Sequence, residues 1–333
     1  MAIKFDKTKH IFSLHTKNTT YQFKIDQNGY LIHLYYGKKT SSNMDYIITH
    51  YDRGFSGNPY DADMDRTYSL DALPQEFPTL GTGDYRNTAL IINNADGSMD
   101  CDLRYQSHVI TDNKYSLHKL PAVYADENAQ SLDVLLKDVR TGIEVTLRYG
   151  VIEECDVITR SVIVKNTANE TASVKRIYSA CLDFLYGKKD CISFYGRHAM
   201  ERNFQRKEVE HGTFQIGSHR GTSSHQYNPM VIIADQDTTE TFGDAYAMSF
   251  VYSGGFDAKI EKDQFNQIRA LMGVSEEMFM YPLKKDEVFT APEVVLSYSP
   301  NGLNALSQNL HYCIREHICR GEYKNQIRPV LVN

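Results

Sequence analysis

Carboxylates and guanidiniums crowd one stretch of this 333-residue chain. Between Tyr51 and Arg86 the sequence reads Asp52-Arg53-Gly54-Phe55-Ser56-Gly57-Asn58-Pro59, then Asp65-Arg66, then Leu73-Pro74-Gln75-Glu76-Phe77-Pro78 and Gly81-Thr82-Gly83-Asp84-Tyr85-Arg86. Side-by-side acids and arginines grip hydroxyl-rich ligands through charge-assisted hydrogen bonds. The bland alternative is that Asp52–Arg53 and Asp65–Arg66 only knit the loop to its scaffold. A structureless run of this length inside a domain is functional or disordered as a rule, and its aromatic residues argue against disorder.

A second group lies further on. Gly196 to Asn203 and Gly217 to Pro229 carry His198, Glu201, Arg202, His219, Arg220 and His225. A histidine beside a glutamate is a general acid and base in outline. Structural ion pairs are commoner than catalytic ones, so a hydrogen-bond network or a domain interface is the favoured reading. His198 and His225 have no third partner at metal-ligand spacing, and no metal or other cofactor is expected.

The six cysteines, at 101, 155, 181, 191, 313 and 319, include no C-x-x-C pair. Most are expected to be reduced and packed as small hydrophobes. With 36 Lys and Arg against 42 Asp and Glu, the net charge is -6. That balance, without long basic runs, speaks against a nucleic-acid partner. No stretch approaches the roughly 20 apolar residues of a membrane helix. The opening Met1-Ala2-Ile3-Lys4-Phe5-Asp6 has no apolar secretory core, so a cytoplasmic location is expected. Trp is absent while Tyr numbers 23 and Phe 15, which disfavours a free-standing lectin built on a Trp platform.

The elements that must position these groups are strands. Thr20 to Ile25 alternates polar and apolar residues, Asp26-Gln27-Asn28-Gly29 signals a turn, and Tyr30 to Tyr35 resumes, which predicts a hairpin. A second hairpin runs from Leu132 through Arg140-Thr141-Gly142 to Tyr149. Further strands are predicted at Val157–Val164, Val174–Phe184, Met230–Ala234, Ala245–Tyr252, Phe256–Ile260, Phe265–Met272 and Val294–Tyr298. Short strands at this spacing indicate stacked antiparallel sheets. One helix closes the pattern. Asn301 is placed to cap it, Leu303, Leu306, Leu310, Ile314 and Ile318 share a face, and Gly321 ends it. After it, Asn325-Gln326-Ile327-Arg328-Pro329 leads into Val330-Leu331-Val332-Asn333, which reads as the opening of a buried strand.

Taken together, several segments resemble the N-terminal region of glycoside hydrolase family 36 α-galactosidases. They are Ser69 to Pro78 with Gly83-Asp84-Tyr85-Arg86, Asp156 to Ser161, Ser179 to Phe184, Gly196 to Asn203, Arg220 to Pro229, Asp263-Gln264-Phe265, Pro292 to Leu296 and Arg328 to Asn333. The resemblance implies an all-β fold, a β-supersandwich of antiparallel sheets over 1–299. It implies a linker helix over 300–324 and the start of a (β/α)8 barrel over 325–333. The chain is expected to be cut short before that barrel, which in the family carries a catalytic nucleophile and an acid/base. No position here can take either role, so the segment by itself is expected to be inactive.

The resemblance further implies an accessory role in a retaining α-galactosidase that acts on terminal α-galactosides such as melibiose and raffinose. Many family members are tetramers in which the 51–86 loop reaches a neighbouring subunit's active site. Asp52, Arg53, Phe55 and Arg66 are thereby the expected substrate-binding rim, with a homotetramer as the expected assembly of the full-length enzyme. Two other classes stay open on the residues alone. One is a carbohydrate-binding module, which would need an exposed aromatic platform. The other is a mutarotase-like sugar enzyme, which would need a His/Glu pair converging in a cleft.

Overall fold

A computed structural model describes residues 2–54, 56–125, 128–277 and 279–332. Every pairing between its strands is antiparallel. The first four strands, Ile3–Asp6, Ile11–His15, Thr19–Ile25 and Leu31–Lys38, form a meander in chain order. A ten-stranded sheet follows, with Glu293–Ser299, Val157–Asn166 and Ile143–Ile152 at its centre. Its edge strands are Met200–Glu208 and Arg104–Thr111. A six-stranded sheet built on Ala172–Phe184 and Ile268–Val274 packs against it. This is the β-supersandwich anticipated from the sequence.

The hydrophobic pattern explains the pairing. Ile143, Val145 and Leu147 point into the main core and alternate with half-buried polar residues, as period-2 geometry requires. Their partners Val164 and Val162 do the same from Val157–Asn166. Ala172–Phe184 is buried along most of its length, packed on the ten-stranded sheet and met by the 51–86 segment through the Gln75 amide on Asp183. The two predicted hairpins form as Thr19–Ile25 with Leu31–Lys38, and as Ala129–Lys137 with Ile143–Ile152.

Three expectations need correction. The strand predicted from Phe265 begins at Ile268, because Asp263 Oδ1 accepts the Phe265 and Gln267 amides and closes a turn there. Asn301 makes no side-chain cap. Instead the first helical amides, from Gly302, Leu303 and Asn304, donate to the carbonyls of Gly243, Thr239 and Glu240 at 2.9–3.0 Å. Neighbouring backbone therefore supplies the acceptors that a cap would have provided. Gly302 makes this approach possible. Its φ is +79°, and a Cβ there would lie 2.5 Å from the Thr239 carbonyl oxygen.

Third, the helix spans Gly302–His317, ending before Gly321, and its buried face is Leu306, Leu310, Cys313 and His317. Leu303 and Ile318 are half-buried and Ile314 is 47% exposed. The predicted stripe therefore straddles two surfaces. One side seats on the sheet, and the other lines an open apolar groove beside Phe194, Phe204 and Met230. Residues 326–332 follow without strand structure, and Val330, Leu331 and Val332 are exposed. Of the cysteines, all but Cys319 are buried free thiols.

Candidate functional site

The 51–86 segment divides into a buried foundation and an exposed tip. Residues 68–79 are buried throughout. Tyr68, Leu70 and Leu73 pack with Ile11, Tyr30, Ile32 and Leu34 on the outer face of the first sheet. The loop is thus ordered by burying its own apolar residues, in place of the ladder that a strand would have used.

Two ionic clusters lock this foundation. In the first, Glu76 is wholly buried between the first sheet and the large one. It accepts hydrogen bonds from Tyr21 Oη at 2.6 Å, Tyr149 Oη at 2.8 Å and Arg160 Nη1 at 2.5 Å, and lies 3.1 Å from His33 Nδ1. Arg160 also stacks on the Tyr149 ring at 4.3 Å. Burial pushes the Glu76 carboxyl up, but Arg160 and the other donors outweigh it and hold it below its ordinary range.

The second cluster joins the loop to the six-stranded sheet. Arg269 holds Asp183 through two 2.8 Å bonds and Asp84 through one of 2.8 Å. Arg86 binds Asp84 and donates to the carbonyls of Leu70 and Leu73 at 2.7 Å. The Gln75 amide donates to Asp183 at 2.8 Å. Burial raises Asp84, yet the two arginines bring it down to about 2. Gly83 closes the turn with φ +90°, where a Cβ would meet the Gly57 carbonyl oxygen at 1.9 Å. Ser69 to Arg86, within which one of the resembling stretches lies, is therefore mainly the base on which the tip stands.

On that base the four expected site residues part company. Asp52 and Arg66 pair across the tip, with Arg66 Nη2 2.9 Å and Nε 3.0 Å from Asp52 Oδ1. The Gly54 amide donates to the same oxygen, and the Arg53 amide donates to the Arg66 carbonyl at 2.8 Å. Arg66 and that amide hold the Asp52 carboxyl below its ordinary range. Arg53 points inward instead. It binds Asp71, which also receives Gln264 Nε2 at 3.2 Å, and lies 4.6 Å from the Phe265 ring centroid. Phe265 in turn stacks on Tyr51 at 4.7 Å. Arg53 is thus held against Asp71 and Phe265, while Asp52 and Arg66 face solvent. Phe55 lies outside the described residues.

The same loop carries exposed apolar side chains. Tyr60 is 97% exposed, Met64 84% and Tyr85 75%. Sequence reasoning passed over all three, although for Tyr60 and Tyr85 an aromatic ring beside a charge was the available signal. The residues that fix the tip, Asp71, Asp84, Arg86, Asp183 and Arg269, were not separable from ordinary surface charge without knowing what packs above them.

The histidine segments do not form the acid/base pair weighed above. His198 and Glu201 sit exposed at the turn between Lys189–Arg197 and Met200–Glu208, and Glu201 accepts the Ala199 amide. Of the histidines in these two segments, His219 meets carboxylates, with Nδ1 2.7 Å from Glu277 and Nε2 3.5 Å from Asp257.

The fold and its loop define a class: an antiparallel β-supersandwich that holds an exposed charged tip on a buried ionic base. Residues 29–284 match the glycosyl hydrolase family 36 N-terminal domain, and residues 288–333 match Melibiase. The chain belongs to glycoside hydrolase family 36, as its N-terminal domain. It is 59% identical over its full length to the bifunctional alpha-galactosidase/sucrose kinase AgaSK of Mediterraneibacter gnavus, covering 36% of that protein. It is 40% identical to alpha-galactosidase Mel36A of Lactobacillus acidophilus over 99% of its length, covering 46% of that protein. Among solved structures, the galactosidase domain of AgaSK superposes with a TM-score of 0.97 at 58% identity, over 99% of this chain and 46% of that one. Alpha-galactosidase AgaA of Geobacillus stearothermophilus, as a variant in complex with raffinose, superposes with a TM-score of 0.93 at 38% identity, over 96% and 45%. The chain thus spans less than half the length of these relatives.

Proposed function

We propose that this chain is the non-catalytic N-terminal domain of a retaining α-galactosidase acting on terminal α-galactosides of the melibiose and raffinose type. In this reading residues 1–299 are the supersandwich, 300–324 the linker and 325–333 the start of the barrel that supplies both catalytic carboxylates. The domain supports assembly of a cytoplasmic homotetramer and lends its loop tip to the rim of a neighbouring active site. The observation that carries the reading is the Asp52–Arg66 pair. Both side chains are 61% exposed, yet the backbone beneath them is pinned by buried charges. A solvent-facing carboxylate–guanidinium pair suits sugar hydroxyls, which accept from one group and donate to the other.

The test has two arms. The 333-residue chain, purified and offered nitrophenyl α-galactoside, is expected to show no turnover. Turnover that survives repurification overturns the non-catalytic assignment. In the full-length enzyme, light scattering is expected to report a tetramer, and a monomer of full activity overturns the shared rim.

A further inference from the structure

Between the first sheet and the turn that joins Ala172–Phe184 to Lys189–Arg197 lies a pocket of about 250 Å³. His33 and Tyr35 line it from Leu31–Lys38, Phe184 and Tyr186 from the strand end and the turn, Lys189 from the following strand, and Tyr246 from Ala245–Val251. Ile47, in the short Asp45–Ile47 turn that leads toward the 51–86 loop, closes one side.

Three polar groups on this wall carry hydrogen-bonding capacity that the protein leaves unused. His33 Nδ1 lies 3.1 Å from Glu76 Oε2. A carboxylate only accepts, so Nδ1 carries the hydrogen and Nε2 of the neutral ring is an acceptor. That Nε2 and the Tyr246 hydroxyl make no hydrogen bond among the described residues, although His33 is 5% exposed and Tyr246 7%. Neither atom is sealed from solvent, so the pocket is where they open. Lys189 Nζ binds Asp235 and lies 5.4 Å from the Tyr246 ring and 5.6 Å from the Phe184 ring, which leaves two of its three N–H groups without an acceptor among the described residues. Polar groups this deeply placed are paired as a rule.

The apolar walls are held in position. Tyr186 Oη donates to the Ile47 carbonyl at 2.8 Å and also meets Thr49 Oγ1, and Tyr35 Oη donates to the Lys38 carbonyl at 2.9 Å. Charge is balanced as well. Asp235 neutralises Lys189, and Asp183, which also borders the pocket, is spent on Arg269 and the Gln75 amide. An ionic ligand would upset both pairs, whereas a neutral one leaves them intact.

We propose that this pocket binds one neutral hexopyranose. Sugar hydroxyls donate and accept at once, which matches an acceptor at His33, a donor at Lys189 and a hydroxyl at Tyr246 that does either. The aromatic walls receive the C–H face of the ring. The volume falls below the roughly 300–1,000 Å³ of drug-sized ligand sites, so it suits a single ring. Glu76 itself stays locked to Arg160, Tyr21 and Tyr149, so it orients His33 and does not reach the ligand. A sugar bound here joins the first sheet to the 184–189 turn and to the chain entering the 51–86 loop.

Equilibrium dialysis of the 333-residue chain against radiolabelled D-galactose and, separately, D-glucose tests the proposal. The expected result is one site per chain with a Kd of about 1 mM for at least one of the two sugars, undisturbed by an equal excess of the acyclic polyol mannitol. Tyr246→Phe removes a hydroxyl without a protein partner, so it is expected to leave Tm unchanged and raise Kd about tenfold. Tyr186→Ala, at the 56% exposed mouth, is expected to raise Kd about fivefold. Tyr281→Ala, an exposed tyrosine outside the pocket, keeps the Kd. Retention of neither sugar, equal displacement by mannitol, or an unchanged Kd in Tyr246→Phe overturns the proposal and leaves the pocket to water. If that variant fails to fold, an unchanged Kd in Tyr186→Ala overturns it instead. The readout is binding and not hydrolysis, so failure here and failure of the α-galactosidase reading are told apart.

Discussion

Asp52 and Arg66, fourteen residues apart, close the tip of the 51–86 loop with an Nη2 to Oδ1 distance of 2.9 Å. In the full-length enzyme, Asp52→Ala or Arg66→Ala is expected to lower kcat/KM roughly ten- to hundredfold, the cost of one charged hydrogen bond to a substrate hydroxyl in a desolvated site. Tm is expected to move by less than about 2 °C, because an exposed ion pair contributes little to folding. Steady-state kinetics on raffinose with thermal unfolding of both variants separates the readings. Normal kinetics with a lowered Tm makes the pair structural.

Arg53→Ala is expected to behave in the opposite way. It leaves Asp71 buried with one cationic partner fewer and removes the packing over Phe265. The expected loss of folding stability is about 1–3 kcal/mol, read by urea unfolding, and accompanies any kinetic change instead of being absent from it.

Removing the charge partner of Glu76 is expected to be the most damaging single change. Arg160→Leu strands a carboxylate that is fully buried. Breaking one side of such a pair costs about 3–5 kcal/mol. The double variant Arg160→Leu with Glu76→Leu is expected to recover a large part of that loss in a denaturant titration.

Acid sensitivity follows from the depressed carboxylates. Asp84, Asp183 and Glu76 have folded-state pKa values below their ordinary ones. Their contribution is full above the unfolded-state range and is lost as pH falls through the folded values. For Asp84 that window runs from about pH 4 to about 2. Asp26 and Asp263 are shifted up by burial and act in the opposite sense. Tm should fall steeply below pH 4, and Asp84→Asn should flatten the fall while lowering Tm at pH 7. An unchanged slope in that variant would falsify the assignment.

Gly302→Ala tests how the helix is seated. The new Cβ meets backbone in a left-handed conformation, and the expected cost is about 1–3 kcal/mol. Hydrogen exchange should rise first at the amides of Leu303 and Asn304, which bond to the 239–243 turn.

The all-β class, the two hairpins and the terminal helix were legible in the sequence because they rest on local periodicity. Alternation in Ile143 to Tyr149, or the spacing of Leu306 and Leu310, is imposed by one buried face and needs no knowledge of its partner. The order of the resembling segments was also enough to name the family. Strands such as Met200–Glu208 were invisible for the converse reason. That edge strand is exposed on both faces, so its residues alternate in nothing.

The roles of charged residues were decided only by the tertiary structure. Asp52 and Arg53 are adjacent in sequence and similar in promise, yet one faces solvent opposite Arg66 and the other lies over Phe265, more than two hundred residues away. Glu76 gathers Tyr21, Tyr149 and Arg160 from three strands, and Cys155 and Cys313 join one buried cluster from distant parts of the chain. The energy of a charge or a thiol depends on what desolvates and partners it, and long-range packing settles that where local pattern does not.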